Sequence, residues 1–170
     1  GGAARRGGVI AGVGETYRGA PVVQHAKHLA GAGALGGSTN CRGRFLSVYG
    51  AEPMGVLSWR FLVDEAGYGV SSDILSHAVD LATMLVGPID SVSGTMETFI
   101  KDRPLPKAGG THYDRGQPGD PTGAVTNEDY AAAMVTFANG ARGTFESSRA
   151  IIGPESQMAF DVYGTKGALR

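Results

Sequence analysis

The stretch between Gly69 and Gly87 constrains this chain more than any other, because it holds a helix that is apolar on most of its sides. Ile74, Leu75, Ala78, Val79, Leu81, Ala82 and Met84 spread around the circumference of a helix running to Val86, where Gly87-Pro88 ends it. Such a helix is stable only when covered, so the rest of the chain must supply a broad apolar surface. Asp73, His77 and Asp80 fall at i, i+4 and i+7 of the same stretch, a spacing that stacks them on one helix face. Two carboxylates and an imidazole on a buried helix are costly unless they are paired or used. That face is the first candidate for chemistry.

The covering surface is a sheet. Downstream of Ile89 the apolar pattern changes to period two, with strands predicted over 90–100, 130–137, 141–148 and 157–163. Asn139-Gly140 sits between two of them and predicts a tight hairpin. Upstream, residues 9–14 read as a short buried strand and 40–49 as another. Pro21 opens a helix carrying Val22, Val23, Ala26 and Leu29, which Gly31 and Gly33 end. Residues 101–128 are rich in Pro, Gly and Asp and read as one long loop. The expected fold class is α+β, a large and mostly antiparallel open sheet packed against one or two helices.

With 170 residues, 42% hydrophobic and 18% charged, the chain suits one domain, or one domain plus a fragment of another. A formal net charge of −1 gives no reason to expect nucleic acid or an anionic membrane as partner. Cys41 stands alone, which excludes an internal disulfide framework and a cysteine-based zinc site and fits a reducing compartment. No apolar run reaches the length of a bilayer span and no signal-peptide core is present, so the expected location is cytoplasmic. The chain opens without Met, passes at once into the strand-like 9–14 segment, and stops just after the turn at 163–167. Both ends read as cuts through a larger protein.

Gly31-Ala-Gly33-Ala-Leu-Gly36 spells the glycine pattern of a dinucleotide site. That pattern works only after a strand and at the start of a helix, where free N–H groups meet the pyrophosphate. Here it follows a helix and precedes a strand, so it reads as a helix cap and turn. For Asp73 and His77, spacing alone leaves two readings open: a proton-transfer pair, or polar groups that brace the helix. Asp80, a turn further on, reads as structural. A metal site is a third option, but three ligands along one helix at this spacing converge poorly on one ion, and no metal is expected. Trp59-Arg60-Phe61 precedes the helix and could line a pocket, with Arg60 gripping a polar substrate. Tyr17-Arg18 follows the first strand, a common place for functional groups. His25 and His28 read as an exposed helix face, and His112 lies in the long loop.

Taken in order, the segments 9–18, Gly33-Ala-Leu-Gly36, Ser58-Trp-Arg-Phe61, Asp73-x-x-x-His77-x-x-Asp80 and Tyr163-Gly-Thr-Lys-Gly167 resemble the glucose–fructose oxidoreductase / inositol dehydrogenase / MocA-type oxidoreductases. The resemblance runs from Val9 to Arg170. It implies a remnant of an N-terminal dinucleotide-binding domain in residues 1–18. Residues 19–170 would form a C-terminal substrate-binding and oligomerisation domain, truncated at its end. It implies that His77 is the general base for alcohol oxidation and that Asp73 orients it or the substrate. Trp59 and Arg60 match a segment near the substrate, and Tyr17 and Arg18 match residues near the cofactor cleft.

The implied cofactor is NAD or NADP, held mainly by a domain that this chain lacks. The implied partners are a sugar, inositol or related polyol and further copies of the chain through the sheet. Two departures accompany the resemblance. The family's Glu-Lys-Pro motif is absent, and Gly14-Glu-Thr-Tyr-Arg18 stands where members commonly carry Gly-Phe-Asn-Tyr-Arg. The chain by itself is therefore expected to be inactive. The rival expectations are a non-catalytic dimerisation scaffold of the same fold and, more remotely, a metal-dependent hydrolase or isomerase.

Overall fold

Period-two alternation produces one broad sheet, and the apolar helix lies across it. The structure is a computed structural model describing residues 2–153 and 155–170. Its helices are α1 (Gly2–Gly7), α2 (Pro21–Gly31), α3 (Val63–Ala66), α4 (Val70–Asp73) and α5 (Leu75–Leu85). Its strands are β1 (Ser38–Ser47), β2 (Ile89–Glu97), β3 (Asp102–Pro104), β4 (Thr122–Ala124), β5 (Tyr130–Phe137), β6 (Arg142–Ser148), β7 (Ser156–Gly164) and β8 (Ala168–Leu169). The main sheet has six strands in the order β2-β5-β6-β1-β7-β8, and every neighbouring pair is antiparallel except β1 with β6. This is the mixed, largely antiparallel sheet that the sequence predicts.

Along β1, Cys41, Phe45 and Ser47 are buried while Arg42 and Arg44 are exposed, so one face is covered and the other open. Leu75, Ala78 and Ala82 of α5 share a core with Cys41, Phe45, Val135, Phe137, Phe145 and Val162 from the covered face. Burial pushes the Cys41 thiol up to about 11, so it acts as a small apolar group. The glycine pattern at 31–36 is a turn, as expected, and Gly36 in it has a packing role. Gly36 is left-handed (φ 68°), and a Cβ there would lie 2.4 Å from Thr165 Oγ1. The turn after β7 docks in that gap, with Lys166 N–H donating to Leu35 O at 2.9 Å and Thr165 N–H to Gly37 O at 3.0 Å.

The structure departs from expectation in three places. Residues 9–14 form no strand, and Val9, Ile10 and Val13 are exposed. A strand needs a neighbouring backbone to pair with, and among the described residues none lies beside this segment. The helix predicted between Gly69 and Gly87 is two helices, with Ile74 out of helical conformation between them (φ −123°, ψ −31°). Glu128 holds the start of α4 while the sheet holds α5, and the chain turns at Ile74 to satisfy both. Residues 101–128 are folded, with β3 and β4 paired and Asp114 and Asp120 closing local turns by accepting N–H bonds from Thr111 and Gln117. Among the described residues no helix is long and apolar enough to cross a membrane.

One buried polar cluster joins the sheet to the segments around α4. Arg149 and Asp129 are both fully buried, and Arg149 Nε donates to Asp129 Oδ1 at 2.7 Å. Arg149 also donates to Asn127 Oδ1 at 2.8 Å and to the carbonyl of Arg60 at 3.1 Å. Asp129 Oδ2 accepts from the N–H groups of Phe99 and Ile100 at 3.0 Å each. Phe61 lies between two guanidinium groups, 4.0 Å from that of Arg103 and 4.5 Å from that of Arg149. Removing one member leaves the other charge buried and unpaired, so Asp129→Ala should destabilise the protein by about 3–5 kcal/mol. Thermal unfolding checks this, with a drop in Tm on the order of 10 °C for a domain of this size.

Candidate functional site

The break at Ile74 sets the geometry of the site, because Asp73 ends one helix and His77 begins the next. Asp73 faces Tyr49 and Arg60. The Tyr49 hydroxyl donates to its Oδ2 at 3.0 Å, and Arg60 Nη1 lies 3.2 and 3.3 Å from its two oxygens. Burial is the main force pushing the Tyr49 phenol up to about 12, and the charge of Asp73 adds to it against the opposing pull of Arg149. Tyr49 therefore stays protonated and keeps donating. His77 makes a different contact. Its Nδ1 lies 2.9 Å from Glu15 Oε2, and the ring packs with centroids 5.0 Å from Tyr17 and 6.0 Å from Phe45. The structure thus gives Asp73 and His77 separate partners and no hydrogen bond to each other.

Asp80 receives both nitrogens of the Arg18 fork, Nε at 2.5 Å and Nη2 at 2.6 Å. This bidentate pair pins the 3₁₀ turn Thr16–Gly19 to α5. Trp59 is half exposed, and the Arg60 guanidinium lies 4.7 Å from its ring centre. Of the six residues singled out from the sequence, Asp73, Arg60 and Trp59 form one group and His77, Tyr17 and Arg18 the other.

A cavity of about 280 Å³ opens beside the first group, lined by Tyr49, Ser58, Arg60, Phe61, Asp73, Ile74, His112 and Tyr113. Its lining mixes aromatic rings with a few polar groups, the usual character of a small-molecule site. Ser58 is buried, and its hydroxyl has no hydrogen-bond partner among the described residues. An unsatisfied buried hydroxyl in a pocket wall marks a place where a ligand hydroxyl would be welcome. His112 and Tyr113 come from the 101–128 segment, which closes one side of the cavity.

The residues that hold this arrangement were not legible from spacing. Glu128 accepts from Gly69 N–H and Ser71 N–H, both at 2.9 Å, at the start of α4. Asn127 Nδ2 donates to the carbonyls of Arg60 at 3.0 Å and Gly67 at 3.1 Å. The only sequence signal was the polar run Asn127-Glu128-Asp129 placed directly before a strand. Among the described residues no group of three or more His, Cys, Asp or Glu side chains is placed to hold a metal ion. Of the glycines at 31–36, Gly36 is taken up by the docked turn.

Comparison with known proteins gives a consistent picture. Residues 23–170 match the GFO/IDH/MocA C-terminal domain. A levoglucosan dehydrogenase of Pseudarthrobacter phenanthrenivorans is 36% identical over 154 residues, covering 90% of this chain and 40% of that protein. A solved structure of levoglucosan dehydrogenase in complex with NADH and L-sorbose matches with a TM-score of 0.85 at 36% identity, over 94% of this chain and 40% of that one. An oxidoreductase domain protein from Kribbella flavida matches with a TM-score of 0.85 at 36% identity, over 98% of this chain and 43% of that one. The chain spans about 40% of the length of the curated relatives that it matches.

Glu128 gives the site a pH dependence that can be measured. Burial alone would raise its carboxyl, but the bonds from the Ser71 hydroxyl and from the N–H groups of Gly69 and Ser71 outweigh it and hold the group below its ordinary 4.5. A depressed carboxyl binds its proton later than the unfolded chain does as acid is added. Its contribution to stability is therefore complete above about pH 4.5 and fades as pH falls below that value. Urea unfolding should show a constant gap between wild type and Glu128→Gln from pH 7 to pH 5.5, narrowing below pH 4.5.

Proposed function

The chain belongs to the GFO/IDH/MocA family of oxidoreductases, and on that premise we propose that it is the substrate domain of an NAD(P)-dependent dehydrogenase acting on a sugar, inositol or related polyol. The observation that carries this reading is the cavity beside Asp73. It is small, walled by rings, and edged with Arg60, Tyr49 and the unpartnered Ser58 hydroxyl. A compact ring bearing several hydroxyls can bond the Ser58 hydroxyl, whereas an apolar ligand would leave that hydroxyl buried and unpaired. The sugar named for the levoglucosan dehydrogenase relative is of this kind.

In this reading His77 takes the proton of the hydroxyl being oxidised, or returns it in the reverse direction. Asp73, steadied by Tyr49 and Arg60, accepts a hydrogen bond from a substrate hydroxyl and fixes its orientation. NAD or NADP supplies the hydride acceptor when bound. Tyr17 and Arg18 are the residues here that would border such a cofactor in the complete protein. Residues 1–18 then belong to a dinucleotide-binding domain, whose sheet would cover the exposed Val9, Ile10 and Val13. The exposed outer face of the main sheet, with Arg42, Arg44, Met134 and Glu146, is the surface for association with another copy. If the fold serves only as a dimerisation scaffold, that face is functional and the cavity is not.

The complete gene product, assayed with NAD+ and NADP+ on a panel of anhydrosugars, inositols and sugars, should oxidise at least one of them. His77→Ala should lower kcat/KM by about 10²-fold or more, the contribution of a positioned general base; an unchanged value removes His77 from the reaction. Ser58→Ala and His112→Ala should act chiefly on KM and shift the ranking of substrates in the panel. Steady-state kinetics would show this as a rise in KM with kcat nearly constant.

A further inference from the structure

His77 and the turn that precedes α2 are joined by more than packing. We propose that Glu15 is the positioning residue for His77, fixing the ring in the tautomer that leaves Nε2 as the proton acceptor. The assignment rests on His77 being the proton acceptor of the proposed reaction. Its basis is the 2.9 Å contact between Glu15 Oε2 and His77 Nδ1, with both side chains mostly shielded from water. An ionised carboxylate can only accept a hydrogen bond. Two acceptors at that distance repel, so Nδ1 carries the hydrogen and donates it. The neutral imidazole then has its lone pair at Nε2, the arrangement a general base needs.

Two further observations support the role. The family resemblance made Asp73 a candidate to orient His77, but both Asp73 oxygens are engaged by Arg60 and one also by Tyr49, with no bond to the imidazole. The orienting task therefore falls to another group, and Glu15 is the carboxylate that meets the ring. Glu15 is itself held in place. Three residues after it, Arg18 makes its bidentate pair with Asp80, three residues after His77. The turn is thus tied to α5 at two successive points, and the Tyr17 ring between them packs on the imidazole. In this account Asp80 supports the reaction at one remove, by fixing the turn that carries Glu15.

The test uses the complete protein labelled with ¹⁵N-histidine, with the His77 signals identified by their loss in His77→Ala. At a pH where the ring is neutral, wild type should show His77 with Nδ1 protonated and Nε2 bare. In Glu15→Ala the ring should move toward the Nε2–H form, and kcat should fall by about 10-fold or more with little change in KM, a part of what a positioned base contributes. Glu15→Leu, which keeps the bulk and cannot accept a hydrogen bond, carries the same test should the alanine variant fail to fold. A bare Nδ1 in wild type, or an unchanged tautomer and kcat in both variants, overturns the role of Glu15. If His77→Ala is inactive in that case, the base assignment stands without Glu15; if His77→Ala is fully active, both assignments fall.

Discussion

The buried ion pair between Arg149 and Asp129 is the interaction on which the arrangement of this molecule depends. Taking two charges wholly out of water costs several kcal/mol per ion, and a single Coulomb contact seldom offsets that. Here most of the remaining hydrogen-bonding positions of the pair are used. Arg149 reaches Asn127 and the carbonyl of Arg60, while Asp129 receives two backbone N–H groups. Phe61 fills the space between the two guanidinium groups. The result is a junction with one satisfied geometry, which an apolar cluster of the same volume would not specify so narrowly. Because Arg60 is gripped through its own carbonyl, the position of its guanidinium beside Asp73 follows from the core.

The same junction explains why the candidate site is split into two groups. Glu128, next to Asp129 in sequence, takes the first N–H groups of α4 and fixes Asp73 relative to the sheet edge. α5 is placed independently, by Leu75, Ala78 and Ala82 against the sheet. Asp73 therefore belongs to the cavity and His77 to the turn that carries Tyr17 and Arg18. The two groups are four residues apart in the chain and yet answer to different supports. In the proposed reaction the substrate spans them, held by one and deprotonated by the other.

Much of this was legible in the sequence, and what was hidden was hidden for a physical reason. The main strands followed from period-two alternation, with the Asn139-Gly140 turn setting the β5–β6 hairpin. Pro21 marked the first turn of α2. The reverse order of elements around Gly31 and Gly36 is borne out, with α2 before the segment and β1 after it. Local pattern failed where a distant group decides the outcome. Val9, Ile10 and Val13 have strand composition, but a strand is a property of a pair, and no described strand pairs with this segment. The interruption at Ile74 arises from Glu128, which no window around α4 contains. The Glu15–His77 and Arg18–Asp80 contacts each join positions 62 apart. The spacing of Asp73, His77 and Asp80 predicts one shared helix face, whereas the structure gives each side chain a separate partner.

The parallel pairing of β1 and β6 has a consequence for how the protein is made. β1 is an early strand, yet it sits between β6 and β7, so Asn40 pairs with Arg142 and Cys41 with Val162. Both partners emerge from the ribosome near the end of this stretch of chain. Until then β1 has two unsatisfied edges, and the face that will receive α5 is incomplete. Contacts so distant in sequence are slow to form, and exposed strand edges in the interval invite pairing with other chains. Everything between β1 and β6, including both helices of the site and the long 101–128 segment, is meanwhile a single loop awaiting closure. The order of synthesis thus makes the site one of the last parts of this stretch of chain to acquire its shape.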